Sequence, residues 1–294
     1  MTIKHEEWTD RQFRYQYILG QRHSQKQKRR FIKSLISDIL PHIQEDDLKI
    51  IVEKYKGIET GTNVYIGNLK TAQKVICTYY DTPSFKIGKY YPFNSNLERK
   101  KVIEWNIIIS SLVICLGLMM TYFLFNVCHF KFSLGNVSSW LVILIYLLYF
   151  MVLKKSSLGT YNPYTLIRNT SSLLTMLEMI NKHSIEKIAF VFLDNGIYGK
   201  RKFSEIQKQM KTGCDLYYLD SIGSNGPLHI MKVNNLFKNV TADRLKGNIY
   251  YAFSSSNKKA DSLDEYYLTF KALKSTRINE ENIKKFMKEI WGDN

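Results

Sequence analysis

Two long uncharged runs in the middle of the chain constrain its fold more than any other feature of the sequence. The first, WNIIISSLVICLGLMMTYFLFNV, extends from Trp105 to Val127, and the second, FSLGNVSSWLVILIYLLYFMVL, extends from Phe132 to Leu153. At about 1.5 Å per helical residue, each run is long enough to cross a hydrocarbon core about 30 Å thick. A pair of buried helices in a soluble core is the alternative interpretation. We expect two membrane-spanning helices in a tight hairpin, because only residues 128–131 separate the runs.

Basic residues mark one side of this hairpin. Arginine and lysine fill positions 99–101 before the first run, and lysines follow the second run at 154–155. The connector carries only His129 and Lys131. Because positively charged flanks are retained in the cytoplasm, we expect a multi-pass protein of the cell membrane with both termini cytoplasmic.

Composition narrows the class of protein further. The net charge of +16 favours an anionic partner, either nucleic acid or the anionic face of a membrane, although a solvated basic surface gives the same balance. An aromatic content of 14% excludes a disordered chain. The four cysteines form no C-x-x-C pair, which disfavours a structural zinc site, and the polar N-terminus does not resemble a signal peptide. Abundant Lys, Ile, Asn and Tyr are typical of an AT-rich bacterial genome.

The segments before and after the hairpin each contain part of one predicted α/β domain. We divide the chain into residues 1–100, a hairpin region at 102–154, and residues 155–294. The first segment has a helical apolar rhythm around Phe31 and Leu35, with a charged face that contacts either solvent or anionic lipid, followed by two strands, TNVYIG and KVICTYY, joined by a turn.

The second segment alternates helices and strands. The helices are SSLLTMLEMINKHS, KRKFSEIQKQMKTG and ENIKKFMKEIW, and the strands are KIAFVFLD, CDLYYLD and NIYYAFS. Because neither segment has enough elements for a fold alone, we expect one cytoplasmic α/β domain, a mixed sheet flanked by helices, into which the hairpin is inserted.

Three predicted strands end on an aspartate, at Asp81, Asp194 and Asp220. Ligands of α/β sheets bind beyond the carboxyl ends of the strands, where carboxylates can hold metal or transfer protons. Aspartates also form turns, so the spacing leaves both interpretations open.

The order of the motifs resembles the di-zinc aminopeptidase family, which includes the glutaminyl cyclases. The matching stretches, within residues 61–92 and 155–294, are TNVYIGNLKTAQKVICTYYDT, RNTSSLLTMLEMI, FVFLDNGIYGKRKF, LYYLDSIGSNG and NKKADSLDEYY. The resemblance implies a zinc-aminopeptidase-like mixed sheet flanked by helices and interrupted by a transmembrane hairpin.

Most of the family's metal ligands are replaced in this sequence. By the resemblance, the first histidine ligand is Tyr79, the bridging aspartate is Arg168, the Glu-Glu pair is lost at Asn195-Gly196, and the last histidine is Asn257. One ligand is kept as Asp220. The residual site positions are Tyr79, Asp81, Arg168, Asp194, Asp220 and Asn257.

A guanidinium at the bridging position adds positive charge where two Zn²⁺ ions need a carboxylate. We therefore expect no metal and no other cofactor, with Arg168 paired instead to Asp81 or Asp220. Asp81 would then be a remnant of the family's His-x-Asp motif, with a structural or ligand-binding role.

The sequence is compatible with three functions. The first is a non-catalytic, membrane-anchored peptidase-like protein that binds a peptide or a membrane partner. The second is an active hydrolase, with zinc or without metal, for which Ser171, Ser172, Cys77 and Cys214 are conceivable nucleophiles. The third is a lipid-binding or nucleic-acid-binding protein, although no nucleic-acid signature is visible.

Overall fold

The chain forms a mixed α/β fold built on a seven-stranded sheet. The computed structural model describes residues 5–54, 60–92, 95–133, 135–157, 159–182, 187–196, 206–232, 247–255 and 266–292. Two compact units are present. The α/β unit comprises Met1–Pro83, Gly88–Ser95 and Pro163–Asn294, and the helical unit comprises Ser84–Ile87 and Asn96–Asn162.

The sheet runs in the order β1-β2-β4-β3-β5-β7-β6. The strands are β1 Leu48–Lys54, β2 Thr60–Ile66, β3 Lys74–Tyr79, β4 Ile188–Leu193, β5 Asp215–Asp220, β6 Leu228–Lys232 and β7 Ile249–Ser254. Strand β3 is parallel to β4 and β5, and β5 is parallel to β7, whereas the β1–β2, β2–β4 and β6–β7 pairs are antiparallel. The four parallel strands therefore end together at one side of the sheet, which we call the carboxyl edge.

Strands β2 and β3 are not neighbours, contrary to the hairpin predicted from TNVYIG and KVICTYY. Strand β4 lies between them, so that Phe190 is the register partner of both Ile66 and Ile76. The reason is the apolar run IAFVFL, which is buried along its length. A strand buried in this way belongs in the centre of a sheet, where a neighbouring strand on each side pairs with its backbone. Two strands were not predicted, β1 and β6, and both lie at sheet edges.

Helices make up much of the rest of the described chain. They are α1 His5–Phe13, α2 Gln25–Ile39, α3 Ser95–Tyr122, α4 Val137–Ser157, α5 Ser171–Lys182, α6 Phe270–Leu273 and α7 Glu280–Trp291. Single π-helical turns extend α1 over Arg14–Ile18, extend α3 over Phe123–Val127, and precede α5 over Leu166–Thr170. Such turns insert an extra residue and often lie at functional sites.

The main core packs α2, α5 and α7 against the sheet. Helix α2 begins with a capping box between Ser24 and Gln27 and buries the predicted stripe that includes Phe31 and Leu35. Apolar side chains of β3, β4 and β5, among them Val75 and Val191, form a second core cluster. The predicted mixed sheet flanked by helices is thus confirmed.

The helical unit contains two helices long and apolar enough to cross a membrane, by length and composition alone: residues Asn96–Val127 and Val137–Ser157. Helix α4 begins at Val137, later than the predicted start at Phe132. The preceding backbone turns at Asn136, whose N–H donates to the Ser133 carbonyl. The connector is therefore longer than the four residues predicted, 128–131.

Candidate functional site

Five of the six residual site positions lie around the carboxyl edge, where β3, β4 and β5 end at Tyr79, Leu193 and Asp220. A fourth element reaches this region, the π-helical turn Leu166–Thr170, all five residues of which are buried. This turn carries Arg168, the position at which the resembled family places its bridging carboxylate.

Arg168 lies between two tyrosines. The residue is 3% exposed, and its Nε donates a hydrogen bond of 3.2 Å to the Tyr79 hydroxyl oxygen. Its Cζ atom lies 4.1 Å from the ring centroid of Tyr90, within cation–π distance. The buried charge is thus stabilised in part by aromatic side chains.

Tyr90 links this arginine to Asp220. The Tyr90 hydroxyl donates to Oδ2 of Asp220, and the Ser221 hydroxyl donates to Oδ1 at 2.7 Å. We call Tyr79, Tyr90, Arg168 and Asp220 the arginine–tyrosine cluster. The structure therefore brings together three of the predicted positions and adds Tyr90, which the sequence did not single out.

The end of β5 is also bonded to the π-helical turn through the backbone. The Ser221 N–H donates to the Arg168 carbonyl at 2.9 Å, and Ser221 adopts a positive φ of 55°. Few residues other than glycine adopt this conformation. The strained turn fixes the position of Asp220 relative to Arg168.

The phenols near the cluster remain protonated at neutral pH. Burial raises the pKa of Tyr79 and Tyr90, and the nearby Asp220 carboxylate raises both further. The pKa values of Tyr218 and Tyr251 are raised in the same way. These side chains act as neutral hydrogen-bonding groups, which are poor zinc ligands compared with imidazole or thiolate.

Asp81 binds the loop after β4. Its Oδ1 accepts from the Gly196 N–H at 2.8 Å, and its carbonyl accepts from Nδ2 of Asn169 at 2.9 Å. A Cβ at Gly196 would lie 2.4 Å from the Tyr79 Cβ, so no side chain fits there. The position at which the resemblance locates a lost glutamate therefore has no room for one beside Tyr79.

Asp194 belongs to a different network. Its Oδ1 is paired with Nζ of Lys28, which also donates to Asn195 Oδ1 at 2.8 Å, and its Oδ2 accepts from the Thr62 N–H at 3.0 Å. The three aspartates share the carboxyl edge, but each has its own partners. Asn257 lies outside the described residues.

Arg22 is the buried residue that sequence reasoning missed. It is fully buried and donates to the carbonyls of Tyr80 and Leu19 and, at 3.0 Å each, to Asn169 Oδ1 and Thr170 Oγ1. Burial lowers its pKa from 12.5 to about 10, so the guanidinium stays charged at neutral pH. The only sequence signal was a single arginine just before an N-cap serine, and this does not distinguish buried from exposed.

The cluster does not fit a pair of zinc ions. Among the described residues, no group of three His, Cys, Asp or Glu side chains could hold a metal ion. In the cluster itself, a guanidinium and two neutral phenols surround the single carboxylate of Asp220. Two dications would require the arginine to leave.

The fold is similar to that of solved enzymes. In the crystal structure of the glutaminyl cyclase of Tannerella forsythia, 98% of that chain aligns with 99% of this one at a TM-score of 0.53 and 11% identity. For Bacteroides thetaiotaomicron glutaminyl cyclase bound to N-acetylhistamine, 95% of that chain aligns with 96% of this one, at a TM-score of 0.49 and 12% identity. For Legionella pneumophila LapA aminopeptidase, 71% of that chain aligns with 98% of this one, at a TM-score of 0.46 and 9% identity.

The sequence matches no protein-family profile and no curated protein. At 11% identity, the similarity to the Tannerella enzyme shows the fold alone. The predicted glutaminyl-cyclase-like architecture is therefore confirmed at the level of fold.

Proposed function

We propose that this chain is a membrane-anchored, non-catalytic, aminopeptidase-like protein that binds a peptide or a membrane partner at the cytoplasmic face. One observation carries the proposal. The Arg168 guanidinium is buried between Tyr79 and Tyr90 at the carboxyl edge, next to Asp220. The resemblance places a dinuclear zinc site at these positions.

The chemistry of the cluster supports the absence of catalysis. Hydrolysis of an amide requires a group that activates water and a group that stabilises the developing oxyanion. The Asp220 carboxylate accepts hydrogen bonds from Tyr90 and Ser221, and Gly196 leaves no room for a glutamate base. Among the described residues, these contacts favour a structural role for Asp220 over that of a general base or a metal ligand.

The conceivable nucleophiles are also unfavourable. The Ser171 hydroxyl donates to the Ile167 carbonyl at 2.9 Å. Burial raises the pKa of the Cys77 thiol and raises that of Cys214 to about 11, so both remain thiols at neutral pH. No described histidine is bonded to any of these groups.

The helical unit supports membrane anchoring. In each of the two apolar helices, only 6% of the most apolar window is buried within the protein. A core helix of a soluble protein would be mostly buried, whereas a lipid-facing helix needs no such cover. The basic residues at 99–101 and 154–155 support placing the termini in the cytoplasm.

Binding at the carboxyl edge is supported by the general behaviour of α/β sheets, in which ligands contact the loops that follow the strands. Because Arg168 and Asp220 are 3% and 1% exposed, a ligand would contact those loops and leave the cluster intact. The cluster would then stabilise the binding surface.

Purification of the tagged full chain from its native membranes in mild detergent tests the proposal. We expect a peptide or membrane protein to co-purify, and no turnover of aminoacyl or N-terminal glutaminyl peptides. Asp220→Asn and Arg168→Met variants are the controls, because contaminating activity would be the same in both. Turnover that is lost in Asp220→Asn would contradict the non-catalytic assignment.

An active membrane-bound hydrolase is the alternative. It is favoured by the similarity to the Tannerella glutaminyl cyclase and by Asp220, the ligand position that the sequence retains. This alternative predicts near-stoichiometric zinc and zinc-dependent turnover in the same preparation.

A further inference from the structure

Helix α2 carries a continuous stripe of exposed positive charge. Lys26, Arg29, Arg30 and Lys33 are all exposed, while Phe31 on the opposite side is buried in the core. The spacing of three, four and seven residues places these four cations on one helical face. We call these four residues the α2 stripe.

The acidic residues that the structure describes do not neutralise the stripe. Within the described ranges, the ion pairs involve none of the four side chains. The one acidic residue of α2, Asp38, is paired with Arg14 at 2.9 Å and accepts a 2.8 Å hydrogen bond from the Tyr15 hydroxyl. Four cations that pair with no acidic side chain of the described segments form a surface complementary to an anionic one.

The helix that carries the stripe is fixed to the chain just before the helical unit. The Arg22 N–H, three residues before α2 begins, donates to Thr82 Oγ1 at 2.7 Å, and the Arg22 guanidinium donates to the Tyr80 carbonyl. The chain passes into the helical unit at Ser84. If the apolar helices anchor the protein, the attachment point of α2 is close in sequence to the anchor.

We propose that the α2 stripe binds the anionic lipid headgroups of the membrane in which the protein is anchored. This inference rests on the proposed anchoring and adds the partner of one surface of the α/β unit. A lipid surface fits better than nucleic acid for two reasons. A plane of anionic headgroups matches a straight stripe of charge without requiring contacts to bases, and an anchored chain is tethered to lipid. Juxtamembrane basic residues gain binding energy from anionic lipid within about one Debye length of the surface.

A fluorescent probe near the stripe tests the proposal in the full chain. Ser37 is exposed and lies four residues after Lys33, so a Ser37→Cys variant with the exposed Cys115 and Cys128 changed to serine accepts an NBD label beside the stripe. The protein is placed in nanodiscs of phosphatidylcholine alone or of phosphatidylcholine mixed with phosphatidylglycerol. We expect higher, blue-shifted NBD emission with phosphatidylglycerol, and reversal of the change at about 1 M salt, at which the screening length is about 3 Å.

Two variants that remove equal charge test whether the stripe causes the lipid-dependent emission change. Changing all four stripe residues to glutamine should abolish the lipid-dependent emission change. The control removes the same charge from exposed positions on and near α7, by Lys271→Gln, Arg277→Gln, Lys284→Gln and Lys285→Gln, and should keep the change. Equal emission in both lipids, or equal loss in both variants, would overturn the proposal.

Two other anions test whether the stripe prefers lipid. Added inorganic phosphate at the same charge concentration should not reproduce the emission change. RNA that binds through the stripe while phosphatidylglycerol does not would overturn the lipid assignment.

A separate experiment tests the anchoring on which the inference rests. If alkaline carbonate releases the chain from native membranes, the anchoring proposal fails. Flotation with phosphatidylglycerol vesicles then tests the stripe alone: stripe-dependent flotation supports it and no flotation contradicts it.

Discussion

The Nε atom of Arg168 donates a hydrogen bond of 3.2 Å to the hydroxyl oxygen of Tyr79. The sequence resemblance matches both residues to zinc ligands of the aminopeptidase family. A cation and a neutral phenol are thereby joined in a buried space that a dinuclear site would fill with metal. Tyr90 completes the same cluster, because its ring lies under the Arg168 guanidinium and its hydroxyl donates to Asp220.

Removal of the buried guanidinium should destabilise the protein. Arg168→Gln loses the bond to Tyr79 and the stacking on Tyr90, and we expect it to lower the free energy of unfolding by about 2–4 kcal/mol. Denaturant or thermal unfolding in detergent measures the change. Arg277→Gln, at an exposed position, should remain within about 0.5 kcal/mol of the native chain. Equal stability of the two variants would show that Arg168 does not support the cluster.

Arg22 should not tolerate lysine. Its guanidinium donates to four acceptors in fixed directions, among them the Tyr80 carbonyl and Asn169 Oδ1, and the compact ammonium of lysine cannot reach them all. We expect Arg22→Lys to cost about 2–4 kcal/mol of unfolding free energy. The matched exposed substitution, Arg29→Lys, should cost almost nothing. A thermal unfolding midpoint for Arg22→Lys close to that of Arg29→Lys would refute the role of the hydrogen bonds.

Stability should decline in alkaline solution. The folded-state pKa values of buried tyrosines such as Tyr90 and Tyr251 lie above their unfolded value of 10.0, so the folded state retains the phenolic protons to higher pH. Their contribution is therefore complete below the unfolded pKa and is lost as pH rises toward the folded pKa. Each such group should steepen the decline by up to about 1.4 kcal/mol per pH unit.

Phenylalanine variants isolate this effect from lysine titration. Tyr251→Phe should reduce the slope of unfolding free energy against pH between pH 10 and 11, above the unfolded value of 10.0. Tyr17→Phe, at a position 61% exposed, should leave the slope unchanged. Identical slopes in the two variants would contradict the assigned direction of the Tyr251 pKa shift.

Restoring the first histidine alone should not restore a metal site. In Tyr79→His the imidazole would still lie beside the Arg168 guanidinium, which repels Zn²⁺. We expect the purified variant to bind no more zinc than the native chain and to show no zinc-dependent rise in thermal stability. Stoichiometric zinc in Tyr79→His would mean that Arg168 moves aside and does not block the site.

Periodicity and apolar runs were sufficient to predict the elements that form the core. The buried stripe of α2, the central strand IAFVFL and helix α7 all follow from side-chain patterns that one element expresses alone. Edge strands β1 and β6 were missed because partial exposure weakens the apolar signal. The insertion of β4 between β2 and β3 was missed because strand order depends on contacts between distant segments.

The site was predicted only in part, because some of its contacts also join segments that are distant in the chain. The ordered motifs located Tyr79, Arg168 and Asp220, which the structure brings together through Tyr90. Tyr90 comes from the segment just before the apolar hairpin and has no motif around it. The Lys28 partner of Asp194 is on α2, 166 residues away in the chain, and no local pattern pairs them.

Metal analysis of the full-length protein tests the central claim most directly. The chain is purified without chelators, exposed to a small excess of zinc, passed over a desalting column, and its metal is measured by mass spectrometry against protein concentration. Because the Arg168 guanidinium lies buried beside Tyr79 and repels dications, we predict far less than one zinc ion per chain. One or two tightly held zinc ions, lost on Asp220→Asn substitution, would contradict the account.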